Sequence, residues 1–211
     1  MKFYLSTIII CIAAILTVNH FIAPVIEFPS WLDFLGVADF PIWFNFLGVI
    51  GSAIAVIVIH GLCAHVSHKN QHKINPFSRY FTVTMRQHSF YPKLGVKKFK
   101  NLLPDLGLLV KFPKRKILDP KSKEYLYFYL LESCSGERGH FFAIFAGFLI
   151  VFIFPLKYFL CFGIPIATVN AVLALMPLIA LRYNRFNLQS MYKILESREN
   201  QKKNSEANIT P

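Results

Sequence analysis

The sequence predicts an all-α, polytopic membrane protein, with about four transmembrane helices and a basic cytoplasmic segment between the second and third. Three observations carry that expectation. Hydrophobic residues make up 55% of the chain and 22 of its 211 residues are Phe, with a mean hydropathy of +0.45, which is too apolar for a soluble domain of this size. Four stretches are candidates for crossing a core about 30 Å thick, which takes roughly 20 residues at 1.5 Å each: Phe3–Ile22, Ile42–Val66, Phe141–Pro155 and Tyr158–Leu181. The net charge of +12 is also distributed very unevenly between the segments that join them.

The first stretch follows Lys2, a minimal positive start, so it reads either as a cleaved signal peptide or as a retained helix. Its apolar run exceeds the usual signal core of about 7–15 residues, and Thr17–Val–Asn–His20–Phe21 is a poor cleavage site, so a retained helix is expected. Ala23–Pro41 carries Glu27, Asp33 and Asp39 and no Lys or Arg. The second stretch is long enough to span and continues as helix out of the membrane over Ser67–Lys73.

The segment Ser67–Gly139 holds most of the positive charge, from Lys69 and Lys73 through Lys97, Lys98 and Lys100 to Lys114, Arg115, Lys116 and Arg138. Within it Tyr91–Phe112 mixes apolar and basic residues, which predicts short interfacial helices with a turn at Leu103–Pro104–Asp105. Pro113–Pro120 is a basic connector, and Lys121–His140 reads as a helix running into the third stretch. Gly136 and Gly139 weaken that helix by up to about 1 kcal/mol each. The third stretch is short and pairs with the fourth as a hairpin through Pro155–Leu156–Lys157–Tyr158. Beyond Leu181 lie Arg182, Arg185, Lys193, Arg198, Lys202 and Lys203, and Glu196–Pro211 has no apolar periodicity, which predicts an unstructured tail.

Positive-inside bias therefore puts both termini and the long middle segment in the cytoplasm of a multi-pass cell-membrane protein. Four units follow: residues 1–66, an N-terminal transmembrane helix pair; 67–139, the basic cytoplasmic or interfacial segment; 140–188, a C-terminal transmembrane hairpin with a cytoplasmic motif; and 189–211, a polar tail. The basic balance does not imply a nucleic-acid partner, because no recognition motif is present and topology explains the charge. Cys11, Cys63 and Cys161 lie in spans and Cys134 lies in the motif below. No CxxC spacing occurs, so neither zinc nor a disulfide framework is implied.

The chemistry concentrates at Glu132–Ser133–Cys134–Ser135–Gly136–Glu137–Arg138–Gly139–His140, set directly against the third stretch. Ionisable groups at a bilayer boundary are costly unless paired or used, which favours a functional site over a helix end resting in the headgroup layer. On a helix Glu137 and His140 lie about 60° apart and Glu132 and His140 about 80° apart, so all three share a broad face. A carboxylate bound to one imidazole nitrogen leaves the other as a base for a hydroxyl attacking an acyl carbonyl; otherwise the pair only tethers the helix end.

A second cluster, Arg182–Tyr183–Asn184–Arg185, closes the fourth stretch at the same boundary. Two arginines there suit a phosphate-bearing donor or a developing oxyanion, the plain alternative being topological flanking. His65, His68 and His72 share a face after the second stretch, and His60 precedes them. Only His68–His72 fits a histidine box of membrane di-iron enzymes, so a basic juxtamembrane helix is expected and no metal site. An isoprenylcysteine-type methyltransferase would carry paired glutamates after the arginine, and none follows Arg182 before Glu196. A non-catalytic membrane partner remains the alternative from a different class.

The pattern Glu132-x4-Glu137-x2-His140, followed by Pro177 and Arg182–Tyr183–Asn184–Arg185, resembles the glycosyl-4,4'-diaponeurosporenoate acyltransferases of staphyloxanthin-type carotenoid synthesis. Tyr91 and Gly95–Val96–Lys97–Lys98–Phe99–Lys100 up to Pro104–Asp105 are similar to a stretch of the same family. Phe99 and Phe141 stand where Trp is expected. The resemblance spans roughly Tyr91–Leu188 and implies transfer of a fatty acyl group, with acyl-CoA as co-substrate and no bound cofactor. The acceptor it implies is a sugar hydroxyl of a glycosyl carotenoid or similar glycolipid in the membrane, reached by a donor from the cytoplasm. Our own reading of the residues adds His140 as the base, Glu137 or Glu132 as its orienting partner, and Arg182, Tyr183, Asn184 and Arg185 as the substrate-binding group.

Overall fold

The computed structural model describes residues 2–17, 42–103, 117–149 and 163–207, which are helices and turns with no strand among them. Among the described residues the α-helices run in order: α1 Lys2–Thr17, α2 Ile42–Lys69, α3 Met85–Phe90, α4 Val96–Phe99, α5 Lys123–Gly147 and α6 Ile164–Ala207. Short 3-10 turns follow α2 at Gln71–Lys73 and α3 at Tyr91–Leu94. The all-α expectation holds. The expected turn at Pro104–Asp105, the connector up to Lys116, the acidic Ala23–Pro41 and the hairpin link at Pro155–Tyr158 lie outside the described residues.

Among the described residues two helices are long and apolar enough to cross a membrane, over Leu47–Lys69 and Ile164–Glu206. Only 11% of the most apolar window of the first, and 28% of that of the second, is buried. The core helix of a soluble protein would be mostly buried; these two are mostly exposed, which suits membrane association. Large apolar side chains stay exposed from Leu47 to Val66 on α2, from Phe141 to Leu149 at the end of α5, and at Ile164, Val172 and Leu175 on α6. Together they form an apolar belt at one end of the bundle. This is a coarser picture than the four expected spans: the first stretch is described only as far as Thr17 and the third only as far as Leu149.

The long helices α2, α5 and α6 make the scaffold. Ser122 caps α5, its Oγ accepting from the Tyr125 N–H at 3.1 Å, which satisfies one of the orphan donors of the first turn. Gly139 lets α2 approach closely: a Cβ there would sit 3.3 Å from the Ala64 Cα. The expectation of an unstructured tail fails as far as Ala207, because α6 continues unbroken past Glu196. Tertiary contact supplies what the local pattern lacks. Lys123 Nζ bonds Glu199 at 2.9 Å and reaches Glu196 at 3.8 Å, while its ammonium sits 5.6 Å from the Tyr192 ring.

Outside the belt, residues 70–103 fold back over α5 and α6 as two small cores. Val83, Tyr91, Val96 and Leu103 pack on Ala180 and Tyr183, and Ile74 and Phe81 pack on Cys134. Thr84 and Gln87 form a reciprocal capping box that fixes α3, with bonds of 3.3 and 3.0 Å. Gly95, at φ +75°, supplies the left-handed residue that lets α4 follow the 3-10 turn.

Candidate functional site

Helical spacing sets the first component. Ser133 and Glu137 are four residues apart on α5, and Arg182 and Arg185 three apart on α6, so each pair projects toward the other helix. Glu137 and Arg185 are completely buried. The Glu137 Oε1 accepts from Arg182 Nη1 at 2.8 Å, and Oε2 accepts from Arg185 Nη1. Arg185 also donates Nη2 to the Ser133 carbonyl at 2.9 Å and Nε to the Ser133 Oγ at 3.3 Å, with its guanidinium 5.4 Å from the Phe81 ring. A buried carboxylate shared by two guanidiniums is stable only with this kind of full hydrogen bonding.

The two arginines differ in access. The Arg185 side chain is fully enclosed, whereas that of Arg182 keeps 18% of its surface exposed. Arg182 donates Nε to the Tyr91 hydroxyl at 3.2 Å and Nη2 to the Tyr80 carbonyl at 3.3 Å. Tyr80 lies at the open edge, its ring 5.8 Å from that guanidinium. Burial first, and then the Glu137 carboxylate, push the Tyr80 phenol above its ordinary range, so it keeps its proton. Tyr183 is buried and stacks on His88 at 4.9 Å, with Lys100 Nζ 5.1 Å from its ring. Asn184 is half-buried.

Glu132 sits apart from this cluster. It is buried, and His68 Nδ1 of α2 approaches its Oε1 at 3.4 Å. His140, half-buried, lies three residues beyond Glu137 toward the belt, its ring edge-on to His60 with centroids 6.2 Å apart. The structure therefore brings Glu137, Arg182 and Arg185 into direct contact and gives Glu132 and His140 neighbours on α2. Both Glu137 oxygens are engaged by arginine.

Further residues, in and outside the two motifs, shape the site. Gln189 is buried and donates to the Pro76 and Phe81 carbonyls at 2.8 and 3.3 Å while accepting from the Val83 N–H at 3.2 Å, so one amide holds the loop that carries Tyr80 and Phe81. Arg138 donates to the Ser67 carbonyl at 2.7 Å and the Ser67 Oγ at 3.2 Å, closing the last turn of α2. Ser67, Asn70, Lys73 and Arg138 line a groove of about 200 Å³ with Val66 and Phe142. Cys134 is fully buried, and burial pushes its thiol up to about 12, so it is no nucleophile. Among the described residues no three His, Cys, Asp or Glu side chains are grouped to hold a metal ion.

A family model described as glycosyl-4,4'-diaponeurosporenoate acyltransferase matches residues 75–194. No curated protein and no solved structure matches. The matched residues include Tyr80, Tyr91, Glu137, His140 and the whole Arg182–Arg185 run, and they exclude α1 and α2.

Proposed function

This chain belongs to the glycosyl-4,4'-diaponeurosporenoate acyltransferase family, and from that membership we propose that it moves a fatty acyl group from acyl-CoA to a sugar hydroxyl of a membrane-embedded glycosyl carotenoid or similar glycolipid. The carrying observation is the juxtaposition, inside the matched span, of His140 at the edge of the apolar belt with the Arg182–Glu137–Arg185 cluster just outside it. An acceptor of this class leaves its apolar tail among the belt side chains and its sugar at the level of His140. A CoA thioester arrives from the basic side.

In this reading His140 takes the proton of the acceptor hydroxyl as its oxygen attacks the thioester carbonyl. The tetrahedral intermediate carries its charge on the former carbonyl oxygen, facing the accessible guanidinium of Arg182 and the protonated Tyr80 hydroxyl. Collapse expels the CoA thiolate, which recovers the proton from the imidazolium. Arg185, fully enclosed, acts through Glu137 and is a positioning residue; Tyr183 and Asn184 shape the same boundary. Four spans with both termini in the cytoplasm, the unit boundaries at 66, 139 and 188, and the lipid acceptor belong to this proposal.

The test is acyl transfer by membranes holding the protein, supplied with a glycosylated carotenoid and acyl-CoA. We expect His140→Ala to lower turnover about 10²–10⁴-fold at an unchanged level of inserted protein. Turnover close to that of the unaltered protein would remove His140 from the chemistry. A second reading, a non-catalytic membrane partner, draws on the complete burial of Glu137 and Arg185, since such a cluster also locks a helix pair. It requires that the protein transfer no acyl group under any of these conditions.

A further inference from the structure

Inside the apolar belt, α2, α5 and α6 enclose polar groups that topology and capping do not require. Asn170 of α6 is 2% exposed and donates Nδ2 to the Ala143 carbonyl of α5 at 3.0 Å. Its Oδ1 meets His60 Nε2 of α2 at 2.5 Å. The niche depends on Gly147, where a Cβ would occupy the space of the Asn170 amide. Intramembrane polar side chains are costly and point to function by default. His60 sits between the exposed apolar residues Val58 and Leu62 on α2, so it lies within the belt.

The amide fixes a protonation pattern. Because the Asn170 Nδ2 faces a carbonyl, its Oδ1 faces His60, and a carbonyl oxygen only accepts. The His60 Nε2 therefore carries the proton, and a neutral imidazole then presents a lone pair at Nδ1. The ring next to it is His140, edge-on with centroids 6.2 Å apart. That is roughly 1 Å more than an in-line N–H···N hydrogen bond between two imidazoles needs, and such bonds tighten when substrate binds.

We propose that His60 is the positioning residue for the His140 base, its Nδ1 accepting the His140 N–H while Asn170 and the Ala143 carbonyl lock the His60 tautomer. This rests on the acyl-transfer reading above. The hydroxyl proton moves to His140 and then to the departing thiolate, and none is passed to His60. The role sought for a carboxylate beside His140 thus falls to a residue outside the matched span.

Initial rates of acyl transfer from acyl-CoA to a glycosylated carotenoid, per inserted molecule, test this in membranes holding the full chain. We expect His60→Leu to lower kcat about 10–100-fold, as outer-shell partners do, with KM for acyl-CoA unchanged. Asn170→Leu should match it, and Asn170→Asp, which keeps the acceptor for His60 Nε2 but loses the donor to the Ala143 carbonyl, should recover part of the loss. The double variant His60→Leu with Asn170→Leu should be no worse than either single one, since both break the same chain. A merely structural role would reduce the amount inserted and leave kcat per molecule alone. Wild-type kcat in His60→Leu, beside an inactive His140→Ala, overturns this proposal and leaves the base in place. An active His140→Ala, or an unaltered protein that transfers nothing, overturns both.

Discussion

Glu137, fully buried, receives two guanidiniums, one enclosed and one at the open edge, so the buried carboxylate and Arg185 depend on each other for their charges to be tolerated. Removing the carboxylate leaves the enclosed Arg185 without its counter-charge, and breaking a buried pair this way costs about 3–5 kcal/mol. We expect Glu137→Gln to lower thermal stability in detergent steeply, read from an unfolding curve of purified protein. Arginine replacements should divide by access. Arg185→Lys loses the Ser133 bonds that only a planar fork makes and should weaken stability first. Arg182→Lys, at the open edge, should leave the unfolding curve close to normal and cut turnover. The thiol at Cys134 gives an independent readout. Burial holds it near 12, so in a protein whose other three cysteines are changed to Ala, maleimide at pH 8 should label Cys134 only after unfolding, or in Glu137→Gln where the packing has opened.

Between α5 and α6 the shared boundary of the two motifs was legible, because helical spacing gives a face and a hairpin gives the level. Pairing across the helices was not. Wheel arithmetic puts Glu132, Glu137 and His140 on one side of α5, yet each meets a different neighbour: His68, the two arginines, and His60. The length of Arg decides it, since a guanidinium reaches several ångströms along the partner helix and captures the carboxylate. The helical tail was illegible for a related reason. Its residues have no apolar period, and the helix is tied to α5 by the Lys123 bridges to Glu196 and Glu199. Gln189 had no signal at all, being a single amide on a polar stretch. It nevertheless holds residues 76–83 through three bonds. Gln189→Leu leaves those backbone groups buried without partners, at about 1–3 kcal/mol for each. Limited proteolysis should then cut near Arg79, where the unaltered protein resists; equal resistance in both would show that the loop is held by Phe81 and Val83 packing alone.

At the scale of the whole molecule the exposed apolar belt fixes what kind of surroundings the fold needs. The apolar length Leu47–Lys69 of α2 rises about 34 Å at 1.5 Å per residue, enough for a core of about 30 Å. On α6 the stretch from Ile164 to Leu181 rises roughly 27 Å before Arg182 begins the charged half, which continues as helix to Ala207. Lys69 at the end of α2, Lys73 in the turn after it, Arg138 on α5 and Arg182 on α6 meet the same edge of the belt. One edge collecting the positive charge of three helices is what positive-inside bias produces when that edge faces the cytoplasm. In a cysteine-free protein, single cysteines at the exposed positions Lys97 and Ser197 should therefore resist a membrane-impermeant maleimide in intact cells and react after permeabilisation, while one at Ser30 in the acidic Ala23–Pro41 should react in intact cells. Labelling of Lys97→Cys from outside would invert the molecule. The arginine cluster would then face away from any cytoplasmic thioester, and acyl-CoA would have to be abandoned as the donor in favour of an acyl lipid already in the outer leaflet.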